Sequence, residues 1–150
     1  MFGYSNQNAL YVHGTAAATL TLTASYVASD NVPIGGMSQA ILACSYTPKT
    51  AQSNRNLFVK VEFSYDGGTI WVPLSKGADA AAASNIIVTT VYDWEFKLAG
   101  ATGGTTYSQR ILIDLGDYGV GTSPLMRVSV KEDGSDNFGT TTVILTLSGN

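Results

Sequence analysis

The sequence predicts an all-β fold, a single antiparallel β-sandwich that is jelly-roll-like, with about eight strands and an N-terminal arm. Apolar and polar residues alternate with a period of two in successive runs, which is the pattern of strands with one buried face. Clusters of Gly, Pro, Asn and Asp separate these runs, and no stretch shows the period of an amphipathic helix. A chain of 150 residues is long enough to form one domain with a sizeable core.

The predicted strands follow one another at short intervals. The first covers Thr19 to Tyr26, and the second covers Ser38 to Tyr46, each with apolar residues at every second position. The clearest run is Leu57 to Tyr65, and a short partner, Ile70 to Leu74, follows the turn Asp66-Gly67-Gly68. The remaining predicted strands cover residues 86–98, 111–115, 126–130 and 143–147.

Two segments fall outside this pattern. Residues 76–84 contain four consecutive alanines at 80–83, but the stretch is too short for a stable helix, so it is interpreted as a loop with room for one helical turn. Residues 1–16 lack a strong period and are predicted to form an N-terminal arm, with room for a short edge strand at Ala9 to Val12. The sandwich domain is therefore expected to cover residues 17–150.

Composition excludes several classes of protein. Hydrophobic residues make up 45% of the chain and charged residues 13%, so it is not a disordered chain, and 17 Thr and 14 Ser supply much of its polar surface. The net charge of −3 argues against nucleic acid as a partner. A single cysteine, Cys44, excludes an intrachain disulfide. With no visible signal peptide and no apolar run of membrane-spanning length, we expect a product of the cytoplasm or of a particle assembled there, with no membrane partner.

The sharpest motif runs from Ser64 to Trp71. It matches Ser-x-Asp-x-Gly-x-x-Trp and resembles the Asp-box of sialidases and other β-proteins, a resemblance that implies a structural hairpin away from an active site. The Asp66 side chain can bond its own backbone, and the glycines tolerate positive φ. We therefore predict that Ser64, Asp66, Gly67, Gly68 and Trp71 form a structural turn.

A second loop raises the question of a metal site. Asp133, Ser135 and Asn137 have the spacing of the first three ligands of a calcium loop. Phe138 and Ile144 stand where that loop needs a glycine and a bidentate glutamate. A plain hairpin turn is therefore favoured over a weak cation site.

Candidate catalytic residues are sparse. The single histidine, His13, lies in the predicted arm, and Cys44 lies on the inward face of a predicted strand, where a free cysteine behaves as a small hydrophobe. Four carboxylates are assigned to solvated strand faces rather than to a glycoside-hydrolysing pair: Asp93, Glu95, Asp114 and Asp117. We expect no enzymatic activity, no catalytic residue, no metal and no cofactor.

From about residue 55 to residue 150, the chain has a characteristic order of strands and glycine-containing turns. Residues 61–74 read as strand, Asp-Gly hairpin, Trp and strand, and residues 126–134 and 139–150 read as strand, turn and strand. A leaderless, cysteine-poor chain of this kind, rich in Thr, Ala and Gly, resembles small β-sandwich virion proteins of tailed bacteriophages, and among them capsid decoration (cement) proteins. The resemblance implies attachment to the outer capsid shell, often as a trimer, through an extended terminus.

The expected function is therefore that of a non-enzymatic virion structural protein, a decoration protein that binds the outer capsid surface and stabilises the head. Its expected partner is the major capsid protein or another virion protein, and its expected location is the virion, assembled in the host cytoplasm. Three alternatives stay open: a phage tail or fibre component, a small β-sandwich lyase or hydrolase, and a carbohydrate-binding module. The last would need exposed aromatic rings, for which the candidates are Trp71, Tyr107 and Tyr118.

Two groups of apolar residues are expected to lie outside the core. The first belongs to the arm, which we expect to be dispensable for folding, and is predicted to bind the virion partner: Phe2, Tyr4, Leu10, Tyr11 and Val12. The second lies on the outward faces of predicted strands and predicts a homo-oligomer, with a trimer favoured: Ile41, Phe58, Ile87, Val91, Leu112 and Ile144.

Overall fold

The regular elements are β-strands, as the alternating pattern predicts. The computed structural model describes residues 9–78, 91–93, 95–116 and 123–149. In chain order the strands within these ranges are β1 (Leu10–His13), β2 (Leu20–Thr21), β3 (Val27–Ala28), β4 (Val32–Pro33), β5 (Met37–Thr47), β6 (Arg55–Ser64), β7 (Val72–Pro73), β8 (Ser75–Ala78), β9 (Val91–Asp93), β10 (Glu95–Gly100), β11 (Tyr107–Asp114), β12 (Leu125–Glu132) and β13 (Thr140–Gly149).

Two antiparallel sheets pack against each other across one core. The front sheet has the strand order β1-β13-β5-β11, and β2 also pairs with β13. The back sheet has the order β10-β6-β12-β3, with β4 also on β12 and β7 on β6. Within the described ranges, β8 and β9 pair with each other alone. This arrangement confirms the predicted β-sandwich.

The pairing pattern is that of a jelly roll. Its eight strand positions are β1, the β3–β4 pair, β5, β6, β10, β11, β12 and β13. The first position pairs with the eighth, the second with the seventh, the third with the sixth and the fourth with the fifth. Further pairing of β13 with β5 and of β12 with β6 closes the two sheets. As a result, β1 and β11 form the two edges of the front sheet.

The inward side of each long strand contributes to a single core. In β5 every second residue from Ala40 to Tyr46 is buried, while the residues between them are partly covered. Burying one such aliphatic or aromatic side chain contributes about 1.5–3 kcal/mol relative to leaving it in water. The back sheet supplies the opposing layer: Leu57, Val59, Val61, Phe63, Met126, Val128 and Val130.

The prediction of one strand from Thr19 to Tyr26 is wrong. The amide of Leu22 donates to the Gly139 carbonyl, and the Thr23 carbonyl accepts from the amide of Glu132. These bonds carry the chain past the connection between β12 and β13, from the front sheet to the back sheet. The segment is therefore a crossover flanked by the short strands β2 and β3, and the alternating residue Ala24 is exposed.

The observed bounds of other strands also differ from the predicted ones. The Ile70–Leu74 strand is reduced to β7, and part of the predicted 76–84 loop belongs to β8. The long 86–98 strand is divided, because β9 pairs with β8 while β10 pairs with β6 in the back sheet. Residues 79–90 and 94, including the four alanines, lie outside the described residues.

The first strand belongs to the sandwich. β1 pairs with β13 through Leu10 opposite Leu145 and Tyr11 opposite Ile144, which places these residues inside the domain rather than in the predicted 1–16 arm. A β-bulge between Tyr11 and His13 changes the alternation, so that Val12 packs against the core and His13 also points inward. Residues 1–8 lie outside the described residues.

His13 connects the two sheets. Its Nε2–H donates to the Val128 carbonyl of β12 at 2.7 Å, which defines the tautomer. Burial lowers the pKa of His13, and this hydrogen bond offsets part of the effect. The imidazole is therefore a neutral core group that links β1 of the front sheet to β12 of the back sheet.

A buried carboxylate joins the loops at one end of the sandwich. Glu132, whose side chain is fully buried, pairs with Arg55 at 3.3 Å and accepts the amide of Gly139 at 2.6 Å. The same guanidinium donates to the Gln52 side chain and to the Asp136 carbonyl. A Cβ on the residue at position 134 would lie 1.6 Å from Arg55 Nη1, so Gly134 is required for this close approach. Burial raises the pKa of Glu132, and the Gly139 amide and the Arg55 charge counter that rise.

We expect the protein to lose stability between about pH 7.5 and 5.5 because of His13. The folded pKa lies below the unfolded value of 6.5, so the unfolded chain takes up the proton first as the pH falls. His13→Gln, which cannot titrate, should flatten this slope in urea denaturation. Equal slopes for the two proteins would contradict the assignment.

Arg55→Met should lower the free energy of unfolding by about 3–5 kcal/mol, because it leaves the Glu132 carboxylate buried without its counter-ion. The double variant Arg55→Met/Glu132→Gln removes that charge and should recover part of the loss. Urea denaturation at neutral pH measures both. A double variant less stable than the single one would show that the pair is not the cause.

Candidate functional site

The Ser64–Trp71 segment forms a closed hydrogen-bonded turn. Asp66 Oδ1 accepts the hydroxyl of Ser64 and the amides of Thr69 and Ile70, and Ser64 Oγ accepts the amide of Gly68. These bonds, with that of Ile70 the largest and that of Ser64 next, lower the pKa of Asp66. The indole N–H donates to the Gly68 carbonyl at 2.9 Å. The polar side-chain atoms of Ser64, Asp66 and Trp71 therefore bond within the turn itself.

The two glycines of this turn have left-handed backbones. Gly67 has φ of 79° and Gly68 has φ of 95°, as the predicted turn requires. A Cβ on Gly67 would meet nothing within 4 Å, whereas one on Gly68 would lie 3.2 Å from the Asn31 amide nitrogen. The positive φ alone therefore requires glycine at position 67. At position 68, glycine is required both by the positive φ and by the crowding that a Cβ would meet.

The Trp71 ring is held by the back sheet. The guanidinium of Arg127 stacks 4.2 Å from the ring centroid, and its Nε donates to the Glu62 carboxylate at 3.0 Å. A stacked guanidinium adds cation–π attraction to the ion pair. One face of this indole is thus occupied by the protein's own side chain.

The Asp133 loop uses its carboxylates to hold the fold. Asp133 accepts both the backbone and the side-chain N–H of Asn56, and Asp136 lies 3.6 Å from Arg55. Among the described residues, no group of three or more His, Cys, Asp or Glu side chains could hold a metal ion. The loop therefore connects β12 and β13 to the start of β6.

The two remaining reactive side chains lie inside the sandwich. His13 bonds Val128, and Cys44 is buried, which raises the pKa of its thiol to about 12. Of the four carboxylates considered, Glu95 accepts the Tyr26 hydroxyl and Asp114 accepts the amide of Gly116. Asp117 lies outside the described residues.

Charge is distributed unequally between the two sheets. The back-sheet strands carry a network in which Tyr26 lies under Lys60 and Lys131, beside the Glu62–Arg127 pair. The strands of the front sheet carry only Arg110 and Asp114 as Lys, Arg, Asp or Glu residues, both in β11. The outward side of the front sheet, which we call the front face, is therefore poor in charge.

Register brings apolar residues together on the front face. Tyr11 lies opposite Ile144, and Ile144 lies opposite Ala43 on the next strand. In an adjacent row Ile41 lies opposite Leu112, whose side chain is 65% exposed. Hydroxyl residues surround these rows: Ser45, Thr47, Ser108, Thr140, Thr142, Thr146 and Ser148.

Shallow depressions cross the front face. One of about 380 Å³ is lined by Ser45, Ser108, Thr142 and Ile144 among others, and one of about 280 Å³ is lined by Ile41, Arg110 and Leu112. Neither contains the convergent titratable groups expected of a catalytic pocket. The face instead combines apolar and hydroxyl side chains with few charges.

Of the predicted partner-binding residues, three are within the described residues. Leu10 and Tyr11 are 48% and 39% exposed on β1, with Tyr11 on the front face, while Val12 is partly buried at the bulge. Phe2 and Tyr4 lie outside the described residues. Sequence reasoning also identified Ile41, Leu112 and Ile144 as outward, but only the strand register shows that they share one face with Tyr11. Phe58 lies on the back sheet beneath Lys131, Val91 lies in β9, and Ile87 is outside the described residues.

No protein-family model matches the chain, and no curated protein matches it. Separately, the described residues contain no helix of the length and apolarity needed to cross a membrane.

Gly67→Val should lower the free energy of unfolding by about 1–3 kcal/mol, because a β-branched residue is strained at positive φ even where space is open. Gly68→Val should cost at least as much. Gly35→Val is the matched control, since a Cβ there would meet Pro124 at an ordinary 3.8 Å. Thermal and urea denaturation measure all three, and an unchanged stability for both turn variants would contradict the structural role.

Proposed function

We propose that this chain is a non-enzymatic virion structural protein, a capsid decoration (cement) protein that binds the outer capsid surface through its front face and β1. The observation that carries the proposal is the front face itself, which is broad, hydroxyl-rich and almost free of charge. Interface cores between proteins are depleted in Lys, Glu and Asp relative to other surfaces. A capsid shell offers a large partner for such a face.

The fold is compatible with this function but does not select it. Jelly rolls build viral capsid proteins, and they also build lectin domains and cupins. Function has to be argued from a site rather than from a fold. His13 bonds Val128 and Cys44 is buried, so both candidate catalytic side chains lie within the domain, and Asp133 of the candidate calcium loop binds Asn56.

Within the described residues, the carbohydrate-binding alternative has less support. One face of the Trp71 ring is covered by Arg127, and the Tyr107 hydroxyl accepts the amide of Thr102. Stacking on a sugar needs a ring face open to solvent. Tyr118 lies outside the described residues.

The proposal assigns attachment to the β1 side of the front face and self-association to other parts of the surface. Tyr11 and Leu10 supply exposed apolar area at the edge strand β1. The partner is the major capsid protein or another virion protein, in a particle assembled in the host cytoplasm. A tail or fibre component would use the same kind of surface, and localisation in the particle separates the two.

The first test is the composition of purified particles. Mature heads and tails from the virus that encodes this sequence would be separated on density gradients and analysed by quantitative mass spectrometry. The proposal expects the chain in the head fraction, accessible to antibody on intact particles. Recovery with tails would favour the tail alternative, and absence from both fractions would refute a virion role.

The second test measures attachment directly. Purified protein would be titrated onto heads from a strain lacking the gene, and bound copies counted after sedimentation. Leu10→Asp/Tyr11→Asp places charge on the β1 edge and should weaken binding about tenfold or more. Ile70→Asp is the matched control, because Ile70 is equally apolar and 65% exposed but lies on the Asp66 turn. Equal binding by all three folded proteins would contradict attachment through β1.

A further inference from the structure

The edge strand β11 has one side without a partner in the described residues. β11 spans Tyr107–Asp114 and pairs along its whole length with β5, whereas no strand within residues 9–78, 91–93, 95–116 and 123–149 pairs with its other side. A long, regular edge strand is a template for pairing with another chain. β11 contains no proline and no bulge, two features that protect edge strands against such pairing.

The register shows which backbone groups are available. The amide of Leu115 donates to the Ser38 carbonyl directly opposite, so odd-numbered residues of β11 direct their backbone groups at β5. Even-numbered residues direct theirs at the open edge. In agreement, the Arg110 carbonyl accepts the side chain of its own neighbour Gln109 at 3.1 Å.

We propose that β11 pairs antiparallel with β11 of a second copy of this chain, about a two-fold axis at Leu112. In this register the Leu112 residues of the two copies form a hydrogen-bonded pair. Arg110 of each copy then lies opposite Asp114 of the other, on the same face of the sheet. The contact extends the front sheet into one continuous sheet through both copies.

Charge selects this register from its neighbours. Even-numbered residues stay opposite even-numbered residues when one strand slides past the other by two positions, which moves the two-fold axis by one residue. A two-fold at Arg110 or at Asp114 would place like charges opposite each other. A two-fold at Ile111 or Ile113 would leave Arg110 opposite an uncharged residue. Of these registers, only the two-fold at Leu112 forms two ion pairs, each between Arg110 of one copy and Asp114 of the other. Opposite charges on directly paired residues are favourable.

Among the described residues, nothing competes with these contacts for Arg110 or for the second carboxylate oxygen of Asp114. The ion pairs of the described residues involve Arg55 and Arg127, and Arg110 takes part in none of them. Asp114 uses Oδ1 for the amide of Gly116, which leaves the other oxygen for a guanidinium. Leu112, 65% exposed, gains an apolar neighbour across the two-fold.

A cavity at the same edge supports the proposal independently. Between β10 and β11 the described residues leave a cavity of about 320 Å³, lined by apolar residues such as Val59, Phe96 and Ile111 and also by Lys97 and Arg110. A second sandwich docked edge to edge lies directly against this cavity. Apolar surface that the described residues leave accessible there is thereby shielded from water.

The geometry has two consequences for assembly. An isologous contact uses the same surface on both copies and closes at two, so it gives a dimer rather than the trimer favoured from the sequence. A two-fold perpendicular to the sheet leaves both front faces pointing the same way, with the two β1 edges at opposite ends. The dimer does not depend on a virion role and can be tested on the isolated protein.

Charge reversal tests the proposed pairing. Arg110→Asp and Asp114→Arg each place like charges opposite one another, so both should be monomers at concentrations at which the wild type is a dimer. The double variant Arg110→Asp/Asp114→Arg restores opposite charges and should dimerise again. Lys49→Asp, an exposed charge change away from β11, is the control and should remain dimeric. Sedimentation velocity across a concentration series gives the mass relative to the 15.7 kDa chain, with circular dichroism to verify folding.

A cross-link tests the position of the axis without relying on charge. Hydrogen-bonded pairs in antiparallel sheets have Cα atoms about 5.5 Å apart, within the range that a disulfide spans. Under mild oxidation Leu112→Cys should therefore form a covalent dimer, whereas Ser108→Cys on the same strand should not, because its opposite residue would be Gly116. A wild-type monomer at about 200 µM, far above a micromolar dissociation constant, would overturn the proposal. So would a folded double variant that stays monomeric, or equal cross-linking at positions 108 and 112.

Discussion

The loop end of the sandwich depends on the ion pair and the hydrogen bond that the Glu132 carboxylate makes. This carboxylate lies at the end of β12, fully buried, and holds Arg55 at the start of β6 and the amide of Gly139 before β13. Two chain connections that are distant in sequence, the one that leads into β6 and the one between β12 and β13, therefore meet at one charged group. The pKa of the neighbouring Tyr46 is raised, first by the burial of Tyr46 itself and then by the negative charge of Glu132. Removing either partner of a buried ion pair of this kind destabilises the fold, because it leaves the other charge buried and uncompensated.

The same strands that build this end create two chemically different surfaces. Back-sheet residues pair with one another in ion pairs and cation–π contacts, so that surface is satisfied by its own side chains. The front face consists of hydroxyl and apolar residues, with its two charges on β11. Desolvating such a face costs little, since few charged groups lose water. This difference makes the front sheet the favoured side for contact with a large partner.

The two edges of the front sheet have different environments. At β1 a bulge turns His13 into the core and bonds it to Val128, which closes that side of the sandwich. At β11 the strand is regular, and no strand of the described residues pairs with its outward side. The two proposals assign different contacts to these edges: the β1 side would meet the proposed virion partner, and the β11 side would meet a second copy. Two copies on one particle would bind with the gain of effective concentration that linked sites provide.

The sequence by itself determined the all-β class and most of the core, because alternation with a period of two survives in β5, β6, β11, β12 and β13. It also predicted the Asp66 turn, since that hydrogen bonding is confined to eight consecutive residues. The local pattern could not show that Thr19 to Tyr26 contains a crossover between the sheets. The residues of this segment that bond to β12 and β13 alternate between apolar and polar as strand residues do.

Only the tertiary structure decided the inward position of His13, because that position depends on a bulge between Tyr11 and His13 in a segment without a strong sequence period. It also decided the partner of Glu132 and the meeting of Tyr11, Ile144 and Leu112 on one face. These relations join residues about 30 to 130 positions apart. Strand register sets them, and register is a property of paired strands that a single strand's pattern does not contain.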